Sequence, residues 1–305
     1  MNISPIISGV KPPVRALLAG AIDYAGLFPP SAVSMPEAVL NYATYRNSNY
    51  SWMLGRFVVT AARLDEFFLH ARDFIARDDR DAWRVSVVVG DDVSGALTQV
   101  ADFNAASGPG IVCDTVEIRA AKHEDVDQAA AEMPAGITAY FEIAPDEKMP
   151  EMVATLAVNG QRAKIRAGGI TPDAFPSATE IIRFVRTCLG ANVPFKATAG
   201  LHHPIRCFRP LTYDKAAPTG TMHGFLNLFL MSGFAREGYK PAFLDDVMEE
   251  EFEEVFQFDD QGVAWRDEFR LTTHQLAGLR ETGIQSFGSC SFDEPVADLQ
   301  KLGIL

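Results

Sequence analysis

The chain has 305 residues, 48% of them apolar and 22% charged, and a formal net charge of −13. That length holds one large α/β domain or two ordinary ones, with core enough to fold without staples. The acidic balance argues against a phosphate-backbone binder, which carries a basic face, so nucleic acid is not an expected partner.

The first residues, MNISPIISGVKPPVR, lack a basic n-region and are broken by Pro5, Pro12 and Pro13. No later window offers about 18 uninterrupted apolar residues, so neither export nor a membrane is expected. Residues 16–24 read as a first strand; Asp23-Tyr24 and the turn-rich GLFPPS at its exit either contribute an acid or a phenol to a site or form a rigid turn that packs its Phe into the mouth of whatever the strands enclose. Ser34 is placed to cap a helix with Pro36 in its first turn, running to about Tyr45. A strand over 57–60 (FVVT) and a helix over 64–76 follow, the latter with Phe67, Phe68, His70 and Phe74 on one side. Next come a strand over 85–90 with a helix opening near Asp92, and a strand over 115–120 with a helix over 123–132. The unit repeats as 137–144 with 148–158, and as 163–167 with 173–189, where Thr171 can cap and Pro172 suits the first helical position. A strand over 194–199, a loop with His202 and His203, and a hydrophobic helix over 222–234 come next; a strand over 286–291 and a short helix over 296–302 close the chain.

Eight strands, each with a helix behind it, predict an α/β protein of the TIM-type (β/α)8 barrel class, one domain over residues 1–305. Residues 240–282 are too long for an ordinary loop and read as an insertion before the last strand. It holds an acidic helix over 244–256 and a hairpin around Asp260-Gln261-Gly262. If the apolar side of that helix, with Val247, Phe252 and Val255, were not covered within one subunit, it would serve a homodimer. The cysteines, Cys113, Cys188, Cys207 and Cys290, lie far apart with no CxxC pair, which fits a reducing, cytoplasmic setting, and Cys290 reads as a small buried hydrophobe.

Four of the strands alternate apolar with polar residues: Val116-Glu117-Ile118-Arg119, Tyr140-Phe141-Glu142-Ile143, Ala163-Lys164-Ile165-Arg166 and Phe195-Lys196-Ala197-Thr198. Side chains alternate across a strand, so Glu117, Arg119, Glu142, Lys164, Arg166, Lys196 and Thr198 share one face. Both faces of a helix-covered parallel sheet are normally apolar, and a buried unpaired charge costs several kcal/mol. A charged interior at the C-terminal strand ends therefore predicts an active site, and its surplus of cations favours a small anionic ligand. Two neighbouring lysines would depress one another's pKa by like charge and desolvation, leaving an amine able to attack a carbonyl.

The order of VEI, FEI, Lys164-Ile165-Arg166-Ala167-Gly168-Gly169, Lys196-Ala197-Thr198-Ala199-Gly200 and Phe287-Gly288-Ser289-Cys290-Ser291 resembles the deoxyribose-phosphate aldolase family of class I aldolases. The resemblance covers short strand segments across the second half of the chain. It implies Lys164 as the Schiff-base residue, Lys196 as the group keeping it unprotonated and Glu117 in place of a proton-relaying aspartate. It further implies that Gly168, Gly169, Gly200, Gly288 and Ser289 border a substrate phosphate. Arg166, Glu117, Cys290 and Leu201-His202-His203-Pro204 depart from the family pattern, as does the 240–282 insertion.

The expected activity is thus that of an aldolase-like lyase without cofactor, acting on a small phosphorylated or carboxylated carbonyl compound. Lys164, Lys196, Glu117 and Glu142 would be catalytic; Arg119, Arg166, Thr198, the glycines, Ser289, His202 and His203 would bind substrate. No HxH or HExxH spacing occurs and no metal is assigned. The alternatives are a metal-assisted isomerase or lyase using His202, His203 and Glu142, with His223 as a further candidate ligand, and a non-catalytic barrel that binds a small anion.

Overall fold

The computed structural model describes residues 9–76, 78, 79 and 81–305, so the reading of the first eight residues lies outside it. Eight parallel strands, Ile22–Tyr24 (β1), Leu54–Thr60 (β2), Trp83–Val88 (β3), Ile111–Arg119 (β4), Thr138–Glu142 (β5), Arg162–Arg166 (β6), Phe195–Thr198 (β7) and Ile284–Ser289 (β8), pair in chain order. The sheet closes where β8 pairs with β1. With helices alternating outside, this is the TIM-type (β/α)8 barrel that the sequence predicts. Outward residues such as Val116, Phe141, Ile165 and Phe195 are buried under the helices, and the capped helix Ala178–Gly190 sets Phe184 edge-on against Phe195 at 5.6 Å. At the N-terminal end, Arg280 binds the backbone carbonyls of Leu17, Ala19, Ile284 and Gln285, tying three segments together.

Several local expectations are corrected. Residues 16–24 contain two elements: Pro12 and Pro13 open a helix, Pro12–Leu18, and Gly20 at φ +58° turns the chain into the three-residue β1. The helix expected from Asp173 begins at Ala178 instead. Pro176 keeps its predecessor out of helical geometry, so Pro172–Ala174 stays a single 3-10 turn and Ser177 with Glu180 forms the capping box. The acidic helix ends early, as Pro241–Met248, because Glu250 turns its carboxylate onto the N–H groups of Glu251 and Phe252 and also holds Trp265 and Arg266.

The hairpin around Asp260-Gln261-Gly262 forms from Phe256–Phe258 and Gly262–Trp265, and Phe269–Thr272 adds a third antiparallel strand. A second hairpin, Cys207–Pro210 with Thr219–Met222, occupies part of the stretch read as a loop after β7. Leu244, Val247 and Met248 are buried within the chain, and of the apolar side offered for a homodimer Phe252 stands well exposed. No helix among the described residues is long and apolar enough to cross a membrane.

Asn227, fully buried, ties these excursions to the barrel. Its Nδ2 donates to the carbonyls of Val247 and Glu250 while its Oδ1 accepts from the backbone N–H of Arg206. Replacing it leaves three buried backbone groups without partners, each worth about 1–3 kcal/mol when desolvated and unpaired. Asn227→Ala should lower stability by about 3 kcal/mol or more, read as a reduced urea midpoint at unchanged slope.

Candidate active site

Register decides which side chains meet. Arg119 of β4 pairs with Glu142 of β5, Glu142 with Lys164 of β6, and Lys164 with Lys196 of β7, so the four fall in one row around the barrel. Glu117 lies on the same face of β4 two residues before Arg119, and reaches across beneath the row. Its Oε2 is 2.7 Å from Lys164 Nζ and its Oε1 is 2.8 Å from Lys196 Nζ. Lys164 Nζ is also 2.8 Å from Glu142 Oε2, and Lys196 Nζ is 2.6 Å from Asp23 Oδ2 on β1. Ser86 donates to Glu117 Oε1 at 2.8 Å, and Ser286 donates to Asp23 Oδ2 at 2.7 Å. Asp23 Oδ1 accepts the backbone N–H of Arg56.

Acids and bases thus alternate through the interior as Asp23, Lys196, Glu117, Lys164, Glu142, ending on the exposed Arg119 at 3.8 Å from Glu142. The two lysines are not left to repel one another, because each ammonium sits between two carboxylates. Burial alone would lower the Lys196 pKa, but Asp23 and Glu117 outweigh it and hold that amine charged well above the usual lysine range. The expected depression by like charge is overturned for Lys196 by this interleaving. Burial would likewise raise Glu117, yet Lys164 and Lys196 together keep it well below the ordinary carboxylate value. Glu142 moves the same way: burial raises its pKa, and Lys164 leads the charges that more than offset this.

A cavity of about 890 Å³ opens over this chain at the C-terminal strand ends. Glu117, Glu142, Lys164, Arg119, Arg166 and Thr198 line it, together with Gly169, Gly200, Gly288 and His202. Lys196 and Asp23 stand below it and do not line it, so of the lysine pair only Lys164 meets whatever enters. The GLFPP turn borders the mouth through Phe28, Pro29 and Pro30, as the sequence suggests.

Other expected residues are placed differently. Gly168 packs beneath Phe175, whose ring would lie 2.4 Å from an added Cβ, so it makes room for a side chain and not for a phosphate. Gly200, at φ +72°, would put a Cβ 2.8 Å from Gly168 Cα, and only glycine allows that close turn. Ser289 is buried, with its Oγ accepting from the Ser291 N–H, and does not border the cavity. Asp293 and Glu294 occupy the first turn of the following helix, Asp293–Lys301, where a phosphate would meet two negative charges. The histidines diverge: His203 Nδ1 pairs with Asp298 at 2.6 Å, His223 Nε2 lies 2.8 Å from the carbonyl of Pro176, and His202 Nδ1 faces Cys290. Among the described residues no group of three or more His, Cys, Asp or Glu could hold a metal ion.

Sequence reasoning gave Asp23 only a marginal place and left out Ser86 and Ser286. A polar residue inside VSVVVG and a carboxylate between Ile22 and Tyr24 are the signals that mark Ser86 and Asp23 as inward. No protein-family model matches the chain, and no curated protein matches it either.

Removing Glu117 should be costly, since it leaves two buried ammonium groups short of a partner; Glu117→Gln should lose about 3–5 kcal/mol. The pH dependence has a definite sign. With its folded pKa depressed, Glu117 contributes stability that is fully present above the unfolded value of about 4.3 and lost as pH falls toward the folded one. Lys196, with its pKa raised, contributes fully below about 10.4 and loses that contribution as pH rises through the folded value. Urea unfolding across pH should show a plateau bounded by an acid and an alkaline limb. Glu117→Gln should lower the plateau and flatten the acid limb.

Proposed function

We propose that the protein is an enzyme of the class I aldolase type, in which Lys164 forms a Schiff base with a small carbonyl compound bearing an anionic group. The observation that carries this reading is a buried lysine, held between two carboxylates, facing a cavity above an otherwise sealed ion-pair chain. Both carboxylates on Lys164 border the cavity, and Glu142 is the proton acceptor that best fits, because Glu117 is also engaged by Lys196 and Ser86. Lys164 passes a proton to Glu142, and the neutral amine attacks the carbonyl carbon. The C–N bond forms as the carbonyl oxygen takes up that proton from Glu142; the nitrogen of the carbinolamine then gives Glu142 a second proton, which passes to the hydroxyl, so that water leaves and a protonated imine remains. That iminium keeps its positive charge at Nζ, between the same two carboxylates. Oriented carboxylates that stabilise the resting ammonium therefore also stabilise the iminium without reorganising. Arg119 and Arg166, on the cavity's rim, are suited to the substrate's carboxylate or phosphate. Thr198, which pairs in register with Arg166 on one side and Gly288 on the other and borders the cavity, is suited to donate a hydroxyl hydrogen bond to the same group.

The same tight pairing favours a second reading, in which Lys164 and Glu142 only move protons at a carbon beside a carbonyl, with no covalent adduct.

Borohydride reduction in the presence of pyruvate, acetaldehyde and glyceraldehyde 3-phosphate, followed by peptide mass mapping, separates the two. The Schiff-base reading expects an adduct on Lys164 and none on Lys196. Lys164→Met should abolish it, and Glu142→Gln should slow its formation by about a hundredfold or more. Carbonyl-dependent deuterium exchange without any adduct would leave the proton-transfer reading in its place.

A further inference from the structure

Across the mouth from Lys164 lies a second cluster that the carbonyl chemistry does not use. β7 is followed by Ala199 and Gly200, both at positive φ, and this turn delivers His202 to the rim. Cys290 follows β8 directly, and its Sγ lies 3.6 Å from His202 Nδ1. His202 Nδ1 is 3.9 Å from Glu294 Oε2 on the closing helix, and Tyr213, in the loop of the hairpin after β7, donates to the same carboxylate oxygen at 2.8 Å. The Tyr213 hydroxyl is also 3.8 Å from Cys290 Sγ. Both Cys290 and His202 are nearly buried, yet both border the cavity, so their route to small molecules is through the barrel mouth.

We propose that Cys290 is a second nucleophile of the barrel mouth, with His202 as its proton partner, and that it takes small soft carbon electrophiles of the α,β-unsaturated carbonyl class. The geometry is that of a thiol beside an imidazole whose positive form a carboxylate supports. Burial opposes the thiolate, but His202, with the hydroxyls of Ser31 and Tyr213, outweighs it, and the Cys290 pKa is lowered. His202 is shifted upward, because Cys290 and Glu294 outweigh its desolvation. In the reaction the thiolate sulfur bonds to the β-carbon and the π pair moves to the α-carbon. That carbon then takes the proton held on His202, so thiol and enone combine with nothing left over. The proposal stands whether or not Lys164 forms a Schiff base.

The chain carries its own references. Cys113 and Cys188 are buried in the barrel wall, and burial pushes both thiols up. Cys207 is more exposed than Cys290 but is also shifted upward by burial. Limited treatment with N-ethylmaleimide, and separately with iodoacetamide, should be followed by peptide mass mapping from pH 5 to 10. Cys290 should react at least ten times faster than Cys207 near pH 7, with its rate already levelled below the range of an ordinary thiol, about 8.5. His202→Gln should slow Cys290 at least tenfold at pH 7 and move its profile to the ordinary range, with Cys207 unchanged as the measure of intact folding. Lys164→Met should leave the Cys290 rate as it is, which separates failure here from failure of the lysine chemistry. Cys207 reacting first in the unaltered protein, or a His202→Gln profile identical to it, would overturn the proposal. If His202→Gln does not fold, the Cys290 to Cys207 ratio and the pH profile of the unaltered protein decide alone.

Discussion

One carboxylate, that of Glu117, accepts both buried lysines, one on each oxygen. Without it the interior would hold two ammonium groups on adjacent strands, each with a single carboxylate and each facing the other's charge. Desolvating a charge costs several kcal/mol even after relaxation, so such an interior is tolerable only when every ion has close partners of opposite sign. The alternation supplies them: Asp23, Glu117 and Glu142 balance Lys164, Lys196 and Arg119, three against three. Ser86 and Ser286 donate to the same oxygens that accept Lys196, Glu117 Oε1 and Asp23 Oδ2, giving each a second hydrogen bond.

The barrel makes that chain possible. Glu117 and Lys196 belong to strands three places apart, and Asp23 and Lys196 are 173 residues apart in sequence. Closing the sheet brings their inward side chains into one core, whereas in an open sheet of the same strand order Glu117 and Asp23 would stand far apart. Within one row of the register the surroundings then differ. Lys196 is sealed below, with Tyr140 at 5.4 Å from its Nζ, and Lys164, a neighbour in the same row, meets the cavity. The two lysines are alike in sequence and in pairing, and differ in what lies above them.

The alternating segments of β4 to β7 were legible as strands with an ionisable face because period two is a local pattern, and closure into a (β/α)8 barrel followed from counting eight such units. The helix ends were less legible. Thr171-Pro172 and Ser177 both have starting chemistry, and it is Pro176 between them that chooses the second. Asp23 was hard to weigh because β1 has three residues, too few to display alternation, and its role depends on Lys196 and Ser286 from distant strands. The sign of the lysine effect was also beyond local reading. Two lysines in sequence suggest repulsion, and only register shows carboxylates between them. Cys290 has no basic neighbour in sequence, since His202 reaches it from 88 residues away.

A barrel interior is ordinarily filled by branched apolar residues, and replacing a buried ion network with well-packed hydrophobes is often neutral or stabilising. Stability alone therefore gives a weak reason for five ionisable side chains in the core. The distribution of exposure gives a better one. A purely structural network would be closed on all sides, as it is around Lys196 and Asp23, but at Lys164 and Glu142 the same network ends beneath a cavity large enough for a small metabolite. The sealed half fixes Glu117, and Glu117 fixes Lys164 in position. The lower ion pairs hold the upper ones in place, and the stability given up in burying them is what keeps the Lys164 amine between its two carboxylates beneath the cavity.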